Sequence, residues 1–236
     1  GLGKNIQQTL GLTLADMGQS SSKAKVNYRQ VFGENLLSNN ILELMAGESG
    51  GKPFIANGGT AGKLVDTSKV KTLGDLVRYQ SLPKGSFERV FAYGIFQTTP
   101  AFTLGYAKAR GFNREDLGQI PMNIETQLDM GRYGLFEKRP SVGAYIRGSG
   151  KVSLAQAASG MSNEWAALAK ANGKSAHEGK AGNKASIPHS QVLSFLKKAQ
   201  QRYAQGKQQG LVGPELEYFA MGINLSGLNQ GNNPTG

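Results

Sequence analysis

The chain has no cysteine, two histidines (His177 and His189) and a single tryptophan (Trp165) among its 236 residues. The missing thiols exclude a disulfide framework, a thiolate nucleophile and the Cys-containing zinc sites. They say little about compartment, because a thiol-free chain tolerates reducing and oxidising surroundings alike. His177 lies in a polar loop and His189 follows Pro188 at a helix start, so both read as surface residues rather than ligands. No run of 18 apolar residues occurs, and no segment reads as a membrane span. No charged-then-apolar leader follows Gly1, so no signal peptide is expected, and the chain reads as beginning inside a longer protein.

Acid is scarce relative to base. Against 27 Lys and Arg stand 16 Asp and Glu, a net charge of +11 and a pI near 9.8. Such a surplus favours a polyanionic partner: nucleic acid, anionic lipid or bacterial cell wall. Nucleic acid is set aside, since no basic helix interleaved with aromatics and no recognised module is present. Lys63, Lys69, Lys71, Lys197 and Lys198 would steer the protein toward an anionic wall, or simply keep its surface solvated. The length suits one large domain or two small ones and is ample for a core without metal or disulfide.

The fold class expected is mainly α (α+β), helical with a small β-hairpin insertion. Residues 1–30, Ser/Lys/Gln-rich around Gln19–Lys25, read as a linker or edge helix, residues 31–226 as the domain and 227–236 as a loose tail. Leu37, Ile41, Leu44, Met45 and Glu48 repeat at helical spacing, and Gly50, Gly51 and Pro53 stop that helix. Residues 54–88 read as Gly-rich and irregular. Arg89–Thr98 alternates as a strand, with Val90, Ala92, Gly94 and Phe96 on one face and Phe91, Tyr93, Ile95 and Gln97 on the other. Thr99–Pro100 starts a helix. Further helices are expected near 101–110, 113–118, 123–139, 153–171 and 188–205, with a Gly/Asn/Ser-rich joint over Asn172–Ser186.

Glu48 carries the sharpest chemical signal, because it continues the apolar stripe of Ile41, Leu44 and Met45. Desolvation disfavours the charged form, so a carboxyl there holds its proton toward neutral pH, as protonating a glycosidic oxygen requires. The plainer alternative is a helix-end glutamate that swings to solvent. Glu43 falls on the opposite face and reads as solvated. Gly47-Glu48-Ser49-Gly50-Gly51 also satisfies G-x-S-x-G, but a nucleophile elbow needs a strand before it, and here a helix precedes. Ala46–Lys52 approximates a phosphate loop, with Pro53 where the magnesium-binding hydroxyl belongs. A second stretch, Ala92-Tyr93-Gly94-Ile95-Phe96-Gln97-Thr98-Thr99-Pro100, sets Gln97 and Thr98 at a strand end. There they either line a cleft or merely cap the strand.

These two stretches in this order resemble the lysozyme superfamily, in particular the lambda-type phage endolysins and the muramidase domains of type VI secretion effectors. In that superfamily a glutamate ends the first core helix, and a Gly-x-x-Gln segment closes a β-hairpin over the cleft. Asn123-Ile124-Glu125-Thr126-Gln127, Glu137-Lys138-Arg139-Pro140, Val142–Gly148, Glu164–Leu168 and Gly182–Ile187 extend the likeness over roughly residues 31–205. The resemblance implies that Glu48 is the general acid for the β-1,4 bond between N-acetylmuramic acid and N-acetylglucosamine. It implies that Tyr93, Gln97 and Thr98 line the cleft, with Tyr145 and Trp165 facing sugar, or with Trp165 buried between helices instead.

Glycosidases of the two-carboxylate kind need a second acid. Asp66 is the candidate, six positions before Thr72 as in another phage-lysozyme branch, although its distance along the chain from Glu48 is longer; Asp75 is the reserve. Lambda-type enzymes instead act as lytic transglycosylases with one glutamate, so hydrolysis and transglycosylation both stay open, as does a wall-binding module without catalysis. The resemblance implies no cofactor and no metal, a monomer, and peptidoglycan as partner. The absent signal peptide and apparent internal start add the expectation of action outside the producer, in the periplasm or cell wall of a target bacterium, as a secreted effector with an immunity protein or equally as an endolysin.

Overall fold

The computed structural model describes residues 22–59, 63–180 and 183–226. Helices dominate it, and the strands among the described residues form one two-stranded antiparallel sheet. The linker or edge helix expected before residue 22 and the loose tail expected over 227–236 lie outside the described residues.

A short helix α1 (Tyr28–Phe32), capped by the Asn27 side chain, leads into a 3-10 turn, Gly33–Asn35. Helix α2 (Ile41–Ser49) starts where the Asn40 side chain accepts the Glu43 amide at 3.0 Å. It buries Ile41, Leu42, Leu44 and Met45, each contributing about 1.5–3 kcal/mol of apolar burial. Gly50 ends it in the left-handed conformation (φ 60°), its amide returning to the Ala46 carbonyl at 2.9 Å.

Strand β1 (Ala56–Asn57) pairs with β2 (Ala92–Tyr93), Ala56 opposite Tyr93. Leu64 bridges Asn57 from the other edge, and Thr67 Oγ1 donates to the Phe54 carbonyl at 2.7 Å. Between the strands runs α3 (Leu73–Gln80), which was not expected in a Gly-rich stretch. Its start is a capping box: Thr72 caps the Asp75 amide while the Asp75 carboxylate accepts from the Thr72 amide.

The expected strand over Arg89–Thr98 shrinks to Ala92–Tyr93. Gly94 (φ 78°) and Gln97 (φ 46°) turn the chain back, so that Tyr93 and Thr98 pair with each other. The predicted two-faced alternation fails for the same reason: Val90, Ala92, Tyr93, Ile95 and Phe96 are all buried. Two glutamines lock this turn. Gln80 Nε2 donates to the carbonyls of Phe91 and Thr98, both at 2.9 Å. Gln127 Oε1 accepts from the Ile95 amide at 2.7 Å, and its Nε2 donates to the Pro53 carbonyl at 2.8 Å.

Helices α4 (Pro100–Ala109), α5 (Arg114–Leu117) and α6 (Ile124–Tyr133) follow near their expected positions, and α6 runs on into a π turn, Gly134–Lys138. Helix α7 (Pro140–Ile146) is additional. Helix α8 (Leu154–Glu164) ends earlier than the expected 171, at Trp165, whose backbone is extended. Helix α9 (His189–Gln208) packs on α10 (Gly213–Ala220), another helix not anticipated.

Two apolar clusters result. One gathers α2, α6, α7, α8 and α9 around Ile41, Met45, Leu128, Val142, Met161 and Phe195. The other joins the sheet to α3, α4 and α6 around Val65, Leu73, Tyr93, Phe102 and Tyr106. Helix α6 serves both, with Leu128 in the first and Met130 in the second, and Phe54 packs against each.

Candidate functional site

Glu48 sits in the last turn of α2, where the helix meets the segment after α8. The residue is half-buried, and its Oε1 accepts a hydrogen bond from the Ala167 amide at 2.8 Å. Loss of solvent pushes the carboxyl above its ordinary value near 4.5, against the opposing pull of the Ala167 N–H and the nearby His177 ring. The result is a carboxyl that holds its proton more tightly than a solvated glutamate and has a fixed donor on one oxygen.

The cradle is built by the joint between α8 and α9. The Ala167 carbonyl accepts the Ser186 and Ile187 amides at 3.0 and 2.9 Å, and Leu168 bridges Ile187. Gly47 is needed beneath them: a Cβ there would stand 2.5 Å from Ile187 Cγ1 and 2.9 Å from Ser186 Oγ. His177 is oriented by its own contacts, Nε2 against the Asn163 carbonyl at 3.0 Å and its amide on Ser175 Oγ at 3.1 Å. His177 was expected to be an idle surface residue, and no spacing along the chain ties it to Glu48. Its proximity is created by the fold.

The stretch Trp165–Ala167 reaches in two directions. Ala167 holds Glu48, while Trp165 Nε1 donates to the Phe96 carbonyl at 3.2 Å. Gln97 comes next in the chain, half-buried, in a left-handed conformation that is strained for a side-chain-bearing residue. It is held there by its own amide, Nε2 donating to Gly94 and Ile55 carbonyls at 2.9 and 3.2 Å, while Oε1 accepts from Asn57 Nδ2 at 3.3 Å. The structure therefore ties Glu48 and Phe96, the residue before Gln97, to one three-residue segment.

Other expected site residues are placed differently. Trp165 is buried, tilted against Phe96 with ring centroids 6.2 Å apart, which is the between-helices alternative rather than a sugar platform. Tyr93 is buried with its hydroxyl unpartnered, and Thr98 is buried with Oγ1 on the Tyr93 carbonyl. Tyr145 is packed in the larger core cluster. All four are large or β-branched residues, and all four are buried.

Asp66 is exposed, and a local turn occupies it: Oδ1 accepts the Ser68 amide at 2.9 Å and Oδ2 the Ser68 hydroxyl at 3.0 Å. Those bonds hold its carboxyl below the ordinary range. Asp75, the reserve, caps α3 and takes the amides of Lys71 and Thr72 at 3.0 Å each. Glu43 is exposed as expected. Ser49, the serine of the G-x-S-x-G pattern, is buried and donates to the Met45 carbonyl at 3.2 Å, so it presents no nucleophile. Among the described residues no cluster of three or more metal-type ligands occurs, and no helix is long and apolar enough to cross a membrane.

No family model, curated protein or solved structure matches this chain.

Proposed function

We propose that the protein cleaves the glycan strand of peptidoglycan at the β-1,4 bond, as a muramidase of lysozyme-like build, with Glu48 as proton donor. One observation carries this reading: a glutamate at the end of a core helix, whose carboxyl burial raises above its ordinary value and whose Oε1 is held by the Ala167 amide. A proton donor at a glycosidic oxygen must be neutral in the ground state and must hold its geometry as the bond breaks. Gln97, strained and next to the Phe96 that Trp165 bonds, supports a cleft-edge role through its Oε1 alone, since both Nε2 protons go to the Gly94 and Ile55 carbonyls. The +11 charge suits an anionic wall polymer and gives association that weakens with salt. Delivery as an endolysin or as a secreted effector fits this chemistry equally.

A second reading is favoured by Asp66. Both of its oxygens already accept bonds from Ser68 in an exposed turn. That supports a reaction run by one glutamate, in which the sugar's own hydroxyl closes on the anomeric carbon and leaves an anhydro product. Mass spectrometry of soluble fragments from purified peptidoglycan, digested by the wild type and by Glu48→Gln, tests both. Reducing-end fragments from the wild type alone support hydrolysis, and fragments lighter by one water support transglycosylation. Release of equal fragments by Glu48→Gln would overturn Glu48 as donor, and no release by either protein would leave a binding module.

A further inference from the structure

The π turn Gly134–Lys138 divides two charge networks. On one side Glu137 accepts from Arg110 Nη1 at 2.6 Å, and Arg110 belongs to a set with Asp129, Arg132, Glu217 and Arg147. On the other side the next two residues, Lys138 and Arg139, both turn to Glu164. Lys138 Nζ bonds both carboxylate oxygens, and Arg139 reaches Oε2 through Nε at 2.9 Å and Nη2 at 2.8 Å. The Glu164 side chain is only 5% exposed. A carboxylate this buried is tolerated because two cations and several hydrogen bonds surround it. With its oxygens so engaged, Glu164 has none to offer a substrate.

The position of Glu164 gives the cluster its meaning. It is the last residue of α8, immediately before the segment that bonds Glu48 through Ala167 and Phe96 through Trp165. The downstream side of Ala167 is fixed by Ser186 and Ile187. The upstream side depends on where α8 ends, and Glu164 pins that end to the π turn.

We propose that Glu164 is a positioning residue of this site: clamped by Lys138 and Arg139, it fixes the end of α8 so that the Ala167 N–H is presented to the Glu48 carboxyl. The inference rests on reading Glu48 as the proton donor, but its first readout needs no activity. The charged and titratable neighbours are Lys138, Arg139 and Tyr133 around Glu164, and His177 beside Glu48.

The experiment is a carboxyl-carbon NMR titration of Glu48 in the full chain, for wild type, Glu164→Gln and Lys138→Gln. Losing a hydrogen bond that favours the anion raises the proton affinity, so the Glu48 midpoint in Glu164→Gln rises by about one pH unit. Lys138→Gln moves it the same way by less, because Arg139 remains. The alkaline limb of the cleavage profile moves upward with the midpoint. A residue that only stabilised the fold would lower the melting temperature and leave the Glu48 titration where it was. An unchanged or lowered midpoint in folded Glu164→Gln overturns the proposal. Should that variant fail to fold, an unchanged midpoint in Lys138→Gln does so instead. If Glu48 proves dispensable for cleavage while its midpoint still moves, the positioning stands and the assigned reaction falls.

Discussion

Glu48 closes a helix whose Ile41, Leu42, Leu44 and Met45 are buried, and a backbone amide 119 residues away completes its surroundings. Asp66 lies in the sheet region, exposed, with both oxygens satisfied two residues along the chain. The same functional group thus moves in opposite directions, up in the helical body by desolvation and down beside the sheet by hydrogen bonds to the anion. Sequence position alone marks both as acids. What separates them is whether the partner is local, leaving water at the carboxyl, or distant, closing water out.

Changing Glu48 to Gln should have the largest effect. It keeps the shape and the acceptor for Ala167 but removes the transferable proton, so release of glycan fragments should fall by about 10²–10⁴-fold. Retention of most activity would place the donor elsewhere and end the contrast. Gly94→Ala attacks the join between the two regions. A Cβ there would collide with Gln127 Oε1 and would sit at a positive φ, so a loss of about 3 kcal/mol is expected in denaturant unfolding. A loss of under 1 kcal/mol would mean that the Gln127 latch is dispensable.

Asp66→Asn should alter cleavage by less than tenfold, since its oxygens serve a turn that an amide can partly maintain. A drop of a hundredfold would restore a two-carboxylate mechanism. The smallest effect concerns stability against pH. Because the folded Glu48 carboxyl binds its proton more tightly than the unfolded one, its contribution is fully present below about 4.5 and fades as pH rises through the elevated value. Glu48→Gln should therefore melt above the wild type at neutral pH, with the gap closing in acid. For Asp66 the sign reverses, its contribution being present above 3.8 and fading as acid is added. Equal melting temperatures for Glu48→Gln and wild type at every pH would show the carboxyl to be solvated after all.

Much of the helical layout was legible from local pattern. The stripe of Ile41, Leu44 and Met45, the Gly50 stop and the start at Pro100 are all properties of neighbouring residues, and each is found near its expected place. Helix α3 was hidden because Gly74 and the flanking glycines mask a capping box and a short apolar face. The strand over Arg89–Thr98 was overread because positive φ at Gly94 and Gln97 breaks a period that alternation alone continues. Glu48 could be singled out because its own helix carries the apolar stripe. Ala167, His177, Glu164 and Gln127 could not, since each acts through a contact between segments far apart in the chain. The resemblance assigns Tyr93, Thr98, Tyr145 and Trp165 to a cleft, whereas all four are buried in the fold.

The separation of 119 positions from Glu48 to Ala167 also sets an order of events during synthesis. When α2 leaves the ribosome its glutamate is an ordinary solvated acid, and it stays one until the chain has been made past Ile187 and the far joint has docked. Whatever chemistry this carboxyl performs is therefore withheld from any nascent or truncated form that ends before Ile187.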